Sequence, residues 1–198
     1  MAKSTTTGRA RRYPWRVDGN FESPEIEQQV ALMGELIERA VDQLHDLPPQ
    51  GLLFRPEGVW FSIAWLALHM SKSEHEQIRH LLPVTDWNAL GQQPPQLGQE
   101  LGERLQCGGI ESPQPPPDSL ADAAALAETM RSVYQEFTVP VCRRVADPDA
   151  RLGESCLFAT PRDLIVHMNW HWTYHSGQIG LLRLQWGDEY VWTLAERT

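Results

Sequence analysis

Three of the seven histidines, His167, His171 and His175, stand at successive spacings of four in one run from Leu164 to Leu182. Four residues turn an α-helix by about 400°, so histidines at that spacing sit one turn apart on nearly the same face. Two imidazoles so placed can grip one divalent cation, as the helical pair does in the zinc motif H-E-x-x-H. No glutamate follows His167 or His171 here, which excludes the zinc-protease signature. The pair needs a third ligand. His69 is the best placed, because it closes the run Ile63-Ala-Trp-Leu-Ala-Leu68, the most apolar in the chain. A histidine at the edge of such a run is either a hydrogen-bonded core residue or a ligand, and the spaced pair elsewhere favours the ligand. His167 and His171 have the same spacing as His171 and His175. Over eight residues a helix drifts by about 80°, so one ion cannot comfortably hold all three. One of the outer two is then a neighbour of the site. His75 and His80 fall on a polar stretch and His45 at a helix end, where surface or supporting roles are expected.

The elements that must position these residues are legible as four amphipathic helices. Ser23-Pro24 is a capping serine followed by a first-turn proline. Ile26, Val30, Met33, Ile37, Ala40 and Leu44 then form a stripe at steps of three and four. Leu47-Pro48-Pro49-Gln50-Gly51 is read as its stop. The second helix is predicted over Val59 to Leu82, apolar in its first half and polar after His69. Residues 83–118 hold seven of the fifteen prolines and are predicted irregular, with a short helix near Gln96 to Gln106. The third helix is predicted over Ser119 to Val145, kinked or shortened by Pro140. The fourth opens on Thr160-Pro161-Arg162-Asp163 and stops at Gly187. No strand pattern is visible. The expected fold is a single all-α domain over residues 23–198, preceded by a flexible basic segment over 1–22.

With 26 acidic against 17 basic residues the chain carries a net charge of −9, which argues against a nucleic-acid partner. No apolar run is long enough for a bilayer, and the basic start is not followed by the apolar stretch that a secretory signal needs. A cytoplasmic protein with no membrane partner is expected. The three cysteines are scattered, with no C-x-x-C, and are expected to stay reduced.

His171-Trp-Thr-Tyr-His175-Ser-Gly-Gln-Ile179 resembles the C-terminal signature of the DinB/YfiT-like superfamily, in which a His-x-x-x-His pair runs into Gly-Gln-Ile. Ser62-Ile-Ala-Trp-Leu-Ala-Leu-His69, followed by Glu74, is similar to that family's second-helix histidine. The resemblance covers roughly residues 24 to 190. It implies a four-helix bundle of up-down-down-up topology, with a long crossover between helices two and three. It also implies a divalent metal held by His69, His171 and His175, leaving His167 beside the site. Ser176 stands where the family often has arginine, which would remove a cation from the neighbourhood. A homodimer is expected from the resemblance and from the eight tryptophans.

Imidazole ligands suit zinc or nickel. Three neutral imidazoles leave the ion its full charge and an open position for water or a thiolate. Members of the family include transferases that use low-molecular-weight thiols such as mycothiol, bacillithiol or glutathione. The expected function is therefore metal-dependent activation of a thiol toward a small electrophile. A metal-dependent hydrolase and a non-catalytic, metal-stabilised binding protein are the alternatives. Gln178 is a candidate to orient a ligand or water, Trp65 and Tyr174 are candidates to line a pocket, and Glu76 is a weaker candidate base. The site is expected at one end of the bundle, beneath part of the 83–118 segment.

Overall fold

The computed structural model describes residues 4–7, 17, 19–87, 89–110 and 121–191, with the side chains of 4–7 and 189 excepted. The fold is all-α. Among the described residues four long helical segments dominate. Helix α1 is Pro24–Asp42, where Ser23 accepts from the Ile26 amide as its cap. A single-turn helix, α2, follows at Pro49–Leu53. Helix α3 is Ile63–Ile78, capped by Ser62 through the Trp65 amide, and it tightens into a 3₁₀ turn over Arg79–Val84. Helix α4, Gln99–Leu105, runs into a 3₁₀ turn at Gln106–Gly108. Helix α5, Ala123–Ser132, continues through a π-helical turn, Val133–Thr138, into α6, Val139–Cys142. Helix α7, Pro161–Trp186, is capped by Thr160 and closed by Gly187 at φ 99°.

Helix α1 packs on α7 and α5, and α3 packs on the same two, so the four segments enclose one core. The α1 stripe is buried as its spacing predicts: Ile26, Val30, Met33, Ile37 and Ala40 are all inside. Gln29 bonds Asn169 and Gln43 bonds Ser176, so contacts advance together along α1 and α7, which run parallel. Tyr134 reaches the Val30 carbonyl while Arg131 pairs with Glu38, so α1 and α5 run antiparallel. His69 faces His175 while Glu74 faces Trp172, which gives α3 and α7 opposite senses.

Several expectations need correction. The Pro48-Pro49 stop opens a new helix, because proline at the first helical position surrenders an amide that has no partner there anyway. The second helix begins four residues later than predicted, where the Ser62 hydroxyl can take an end amide. It leaves α-geometry before Pro83, whose ring cannot continue the ladder. The third helix carries a π turn just ahead of Pro140, a recognised way to absorb a missing amide donor. Its predicted start at Ser119 lies outside the described residues. A short parallel pair, Ser4–Thr7 with Asp188–Val191, was not visible as a strand pattern, since four residues carry almost no periodicity. The expected 1–22 segment otherwise lies largely outside the described residues. No helix among those described is long and apolar enough to cross a membrane. Cys107, Cys142 and Cys156 are all free thiols.

Candidate metal centre

The site is built by α3 and α7 lying antiparallel. The first half of α3 is apolar on all sides and is buried from Ile63 to Leu68, which carries His69 to the edge of the core. His171 and His175 project from α7 one turn apart, flanking the fully buried Trp172. One ring nitrogen from each of His69, His171 and His175 lies within 4.8 Å of the others. Among the described residues, this is the group of His, Cys, Asp and Glu side chains that could hold a metal ion. The cluster lies along α3 and α7, and the turn Gln106–Gly108 of the 83–118 segment lies against His69.

Two of the three rings have a fixed outer nitrogen. His69 Nδ1 bonds the Gly108 carbonyl at 3.1 Å, and His175 Nδ1 bonds Gln178 Oε1 at 2.6 Å. Each partner is an oxygen acceptor, so each Nδ1 carries the proton and each Nε2 keeps its lone pair. His171 Nδ1 is buried with no protein partner. An unsatisfied buried nitrogen is costly, and a cation at the cluster fits the need. Three nitrogens around one zinc would lie about 3.3 Å apart, so small ring rotations complete the grip.

Burial also keeps the rings neutral, the form that ligates. It pushes His171 down to about 3, with the nearby His175, His69 and His167 adding to the shift. Burial lowers His175 to about 4, against the opposing hydrogen bond from Gln178 and with His69 adding to the shift. His69 is lowered for the same first reason, while the Gly108 bond acts against it.

The remaining candidates fall into place around the three rings. Trp65 is buried and stacks on His69 with centroids 4.6 Å apart at 10°. Tyr174 is half exposed and meets the His175 ring edge-on at 5.1 Å. His167 lies outside the nitrogen cluster, 6.2 Å ring to ring from His171, and packs on Phe158. Glu76 is an exposed acid paired with Lys72 at 3.2 Å, and it is not in the cluster. His45 is exposed beside Asp46, and His75 packs on Phe137. Ser176 accepts from Gln43 Nε2 at 2.6 Å, which places it in the α1–α7 interface and not toward the histidines. An open cavity of about 440 Å³ borders the cluster on the His69 side, lined also by Lys72, Glu76, Gln77 and Gln106.

Two residues were missed. Gly108 supplies the carbonyl that orients His69, and a Cβ there would come within 2.5 Å of the Leu68 backbone. Its only sequence signal was the Gly108-Gly109 pair inside a proline-rich stretch. Glu74 falls on the stretch expected to be polar and partly solvated, and it was given no role in the site. It is fully buried, accepts from Trp172 Nε1 at 2.8 Å and from Thr138 at 2.5 Å, and so ties α3 to α7 and to the π turn.

The fold and the site together define an all-helical protein with a cluster of three histidine nitrogens between two antiparallel helices. The sequence pattern of the DinB superfamily matches residues 33–179, and the chain belongs to that superfamily. Comparison with curated proteins finds no match.

Proposed function

We propose that the protein is a metal-dependent transferase that activates a low-molecular-weight thiol toward a small, partly apolar electrophile. His69, His171 and His175 would hold the ion, with zinc or nickel suited to an all-imidazole set. The observation that carries the reading is the cluster of three neutral ring nitrogens, two of them with the outer nitrogen already bonded to an oxygen acceptor. Such an ion, when bound, supplies a positive charge that favours the deprotonated form of a thiol or of water.

The chain's own residues set the rest. Gly108 and Gln178 hold two rings in the tautomer that presents Nε2 inward. Trp65 stacks flat on His69, which limits ring rotation and keeps water off that face. The cavity beside His69 is large enough for a small molecule. Lys72, Glu76, Gln77 and Gln106 offer it donors and acceptors, which suits the hydrophilic tail of a thiol cofactor. Tyr174, beside His175, offers an apolar face to the electrophile.

The test is a titration of cobalt-substituted protein with mycothiol, bacillithiol and glutathione. A thiol that reaches the ion gives an intense near-ultraviolet charge-transfer band. If no thiol gives that band while metal-dependent ester hydrolysis is measurable, the transferase reading fails and a hydrolase replaces it. If neither is seen, a non-catalytic, metal-stabilised protein is the reading that stands.

A further inference from the structure

A separate cavity of about 420 Å³ lies where the chain leading into α4 meets the end of α3 and the π turn. None of His69, His171 and His175 lines it, and it shares no lining residue with the cavity beside His69. Its apolar wall is Leu82, Pro94, Pro95, Leu97 and Phe137. Phe137 is anchored in the core at 1% exposure. The two prolines have a fixed φ, so this wall keeps its shape with nothing bound. A cavity of that size accepts a small organic molecule.

The charge around it has one sign. Arg79 and His75 are its ionisable lining residues, and no aspartate or glutamate lines it among the described residues. Burial lowers His75, with Arg79 adding to the shift, so that ring is neutral at neutral pH. Arg79 makes no ion pair among the described residues. Acidic residues outnumber basic ones by 26 to 17 in this chain, so a guanidinium without a carboxylate stands out. Its planar fork of donors matches a carboxylate.

Gly102 is a second, independent sign. It lies inside α4, where glycine is less stable than alanine. Other glycines have a reason within the chain: a Cβ at Gly108 would strike Leu68, and one at Gly34 would strike Tyr134. A Cβ at Gly102 would meet nothing within 4 Å, yet this residue lines the cavity. A bare backbone there keeps the space clear and lets a bound molecule come close to the helix.

We propose that this cavity is a binding site for a small aromatic carboxylate, with its ring against Pro94, Pro95 and Phe137 and its carboxylate on Arg79. A rigid, flat body suits rigid walls, because little freedom is lost on binding. The carboxylate gives Arg79 the partner that the chain does not supply, and the neutral His75 ring offers a further N–H. The site does not depend on which reaction the metal centre runs.

The experiment is calorimetric titration of the full-length protein with phenylacetate, in the metal-loaded form and after chelator treatment, with circular dichroism as the folding control. A single molecule per chain is expected to bind in both forms, with a dissociation constant below about 1 mM. Phenylethanol, which has the ring without the charge, is expected to bind about tenfold more weakly or worse, and hexanoate, which has the charge without the ring, likewise. Arg79→Gln, at an exposed position, is expected to weaken phenylacetate about tenfold or more. Gly102→Leu fills the space and is expected to abolish binding while helix content holds or rises. Absence of binding to the wild type overturns the proposal. So does binding that neither substitution weakens, or phenylethanol binding as tightly as the acid. Binding that vanishes with the metal while the fold persists places the acid on the ion and overturns it as well. Hexanoate binding as tightly as phenylacetate overturns the aromatic ligand class.

Discussion

The imidazole of His69 on α3 is held by the backbone carbonyl of Gly108, at 3.1 Å, in the 3₁₀ turn that ends α4. The turn can come that close only because residue 108 lacks a side chain. Added at that position, a Cβ would sit 2.5 Å from the Leu68 carbonyl group and 2.6 Å from the His69 amide. Gly108→Ala therefore forces the turn away from α3. We expect a loss of about 1–3 kcal/mol from overpacking and a fall in metal affinity of about 10–100-fold as His69 loses its orienting acceptor. Thermal denaturation with and without metal, together with chelator competition, checks both.

Removing a ring tests the ligand set directly. His69→Ala, His171→Ala and His175→Ala are each expected to lose stoichiometric metal, read by elemental analysis. His167→Ala is expected to keep it, since that ring lies outside the nitrogen cluster and packs on Phe158. Loss of metal from the His167 variant with retention in the His175 variant would shift the site by one turn.

Gln178 accepts from His175 Nδ1 at 2.6 Å, so its replacement is expected to act on metal affinity through that ring. Gln178→Leu leaves the Nδ1 proton without its acceptor and frees the ring to turn or change tautomer. Metal affinity is expected to fall about 10–100-fold, with helix content unchanged because Gln178 is only partly buried on α7. Chelator competition gives the affinity and circular dichroism the control.

Glu74 should leave a signature in the pH dependence of stability. Burial raises its carboxyl from 4.5 to about 7, against the opposing bonds from Thr138 and Trp172. Between those values the folded state holds a proton that the unfolded state releases. Its contribution to stability is therefore present below pH 4.5 and is lost as pH rises through about 7. Glu74→Gln keeps the shape and still offers an oxygen to Trp172 Nε1. It is expected to be more stable than the wild type at pH 8, by at most about 3 kcal/mol. The difference should shrink toward zero or reverse at pH 4.5. A difference in melting temperature that does not change between pH 4.5 and 8 would remove Glu74 as the titrating group.

What the sequence alone determined is what depends on neighbours a few residues apart. Thr160-Pro161 and Gly187 bound α7 because capping and left-handed closure are local acts. The four-residue spacing put His171 and His175 on one face by helical geometry, and the apolar run before His69 foretold its place at the core's edge. The choice between His167 and His175 was not readable from spacing, which is the same for both. It needed the resemblance, and in the folded chain the position of α3 brings His69 to His171 and His175. Only tertiary structure decided the features that join distant segments. These are the approach of Gly108 to His69, the link from Glu74 to Trp172 and Thr138, and the turning of Ser176 toward Gln43. The π turn before Pro140 and the late start of α3 belong with them in part, since helix ends respond to what packs around them. Spacing fixes angles about a helix axis, and it leaves open which helix lies against which and which loop crosses over it. Those are decided by the burial of the whole apolar surface at once, and the meeting of the three histidines depends on them.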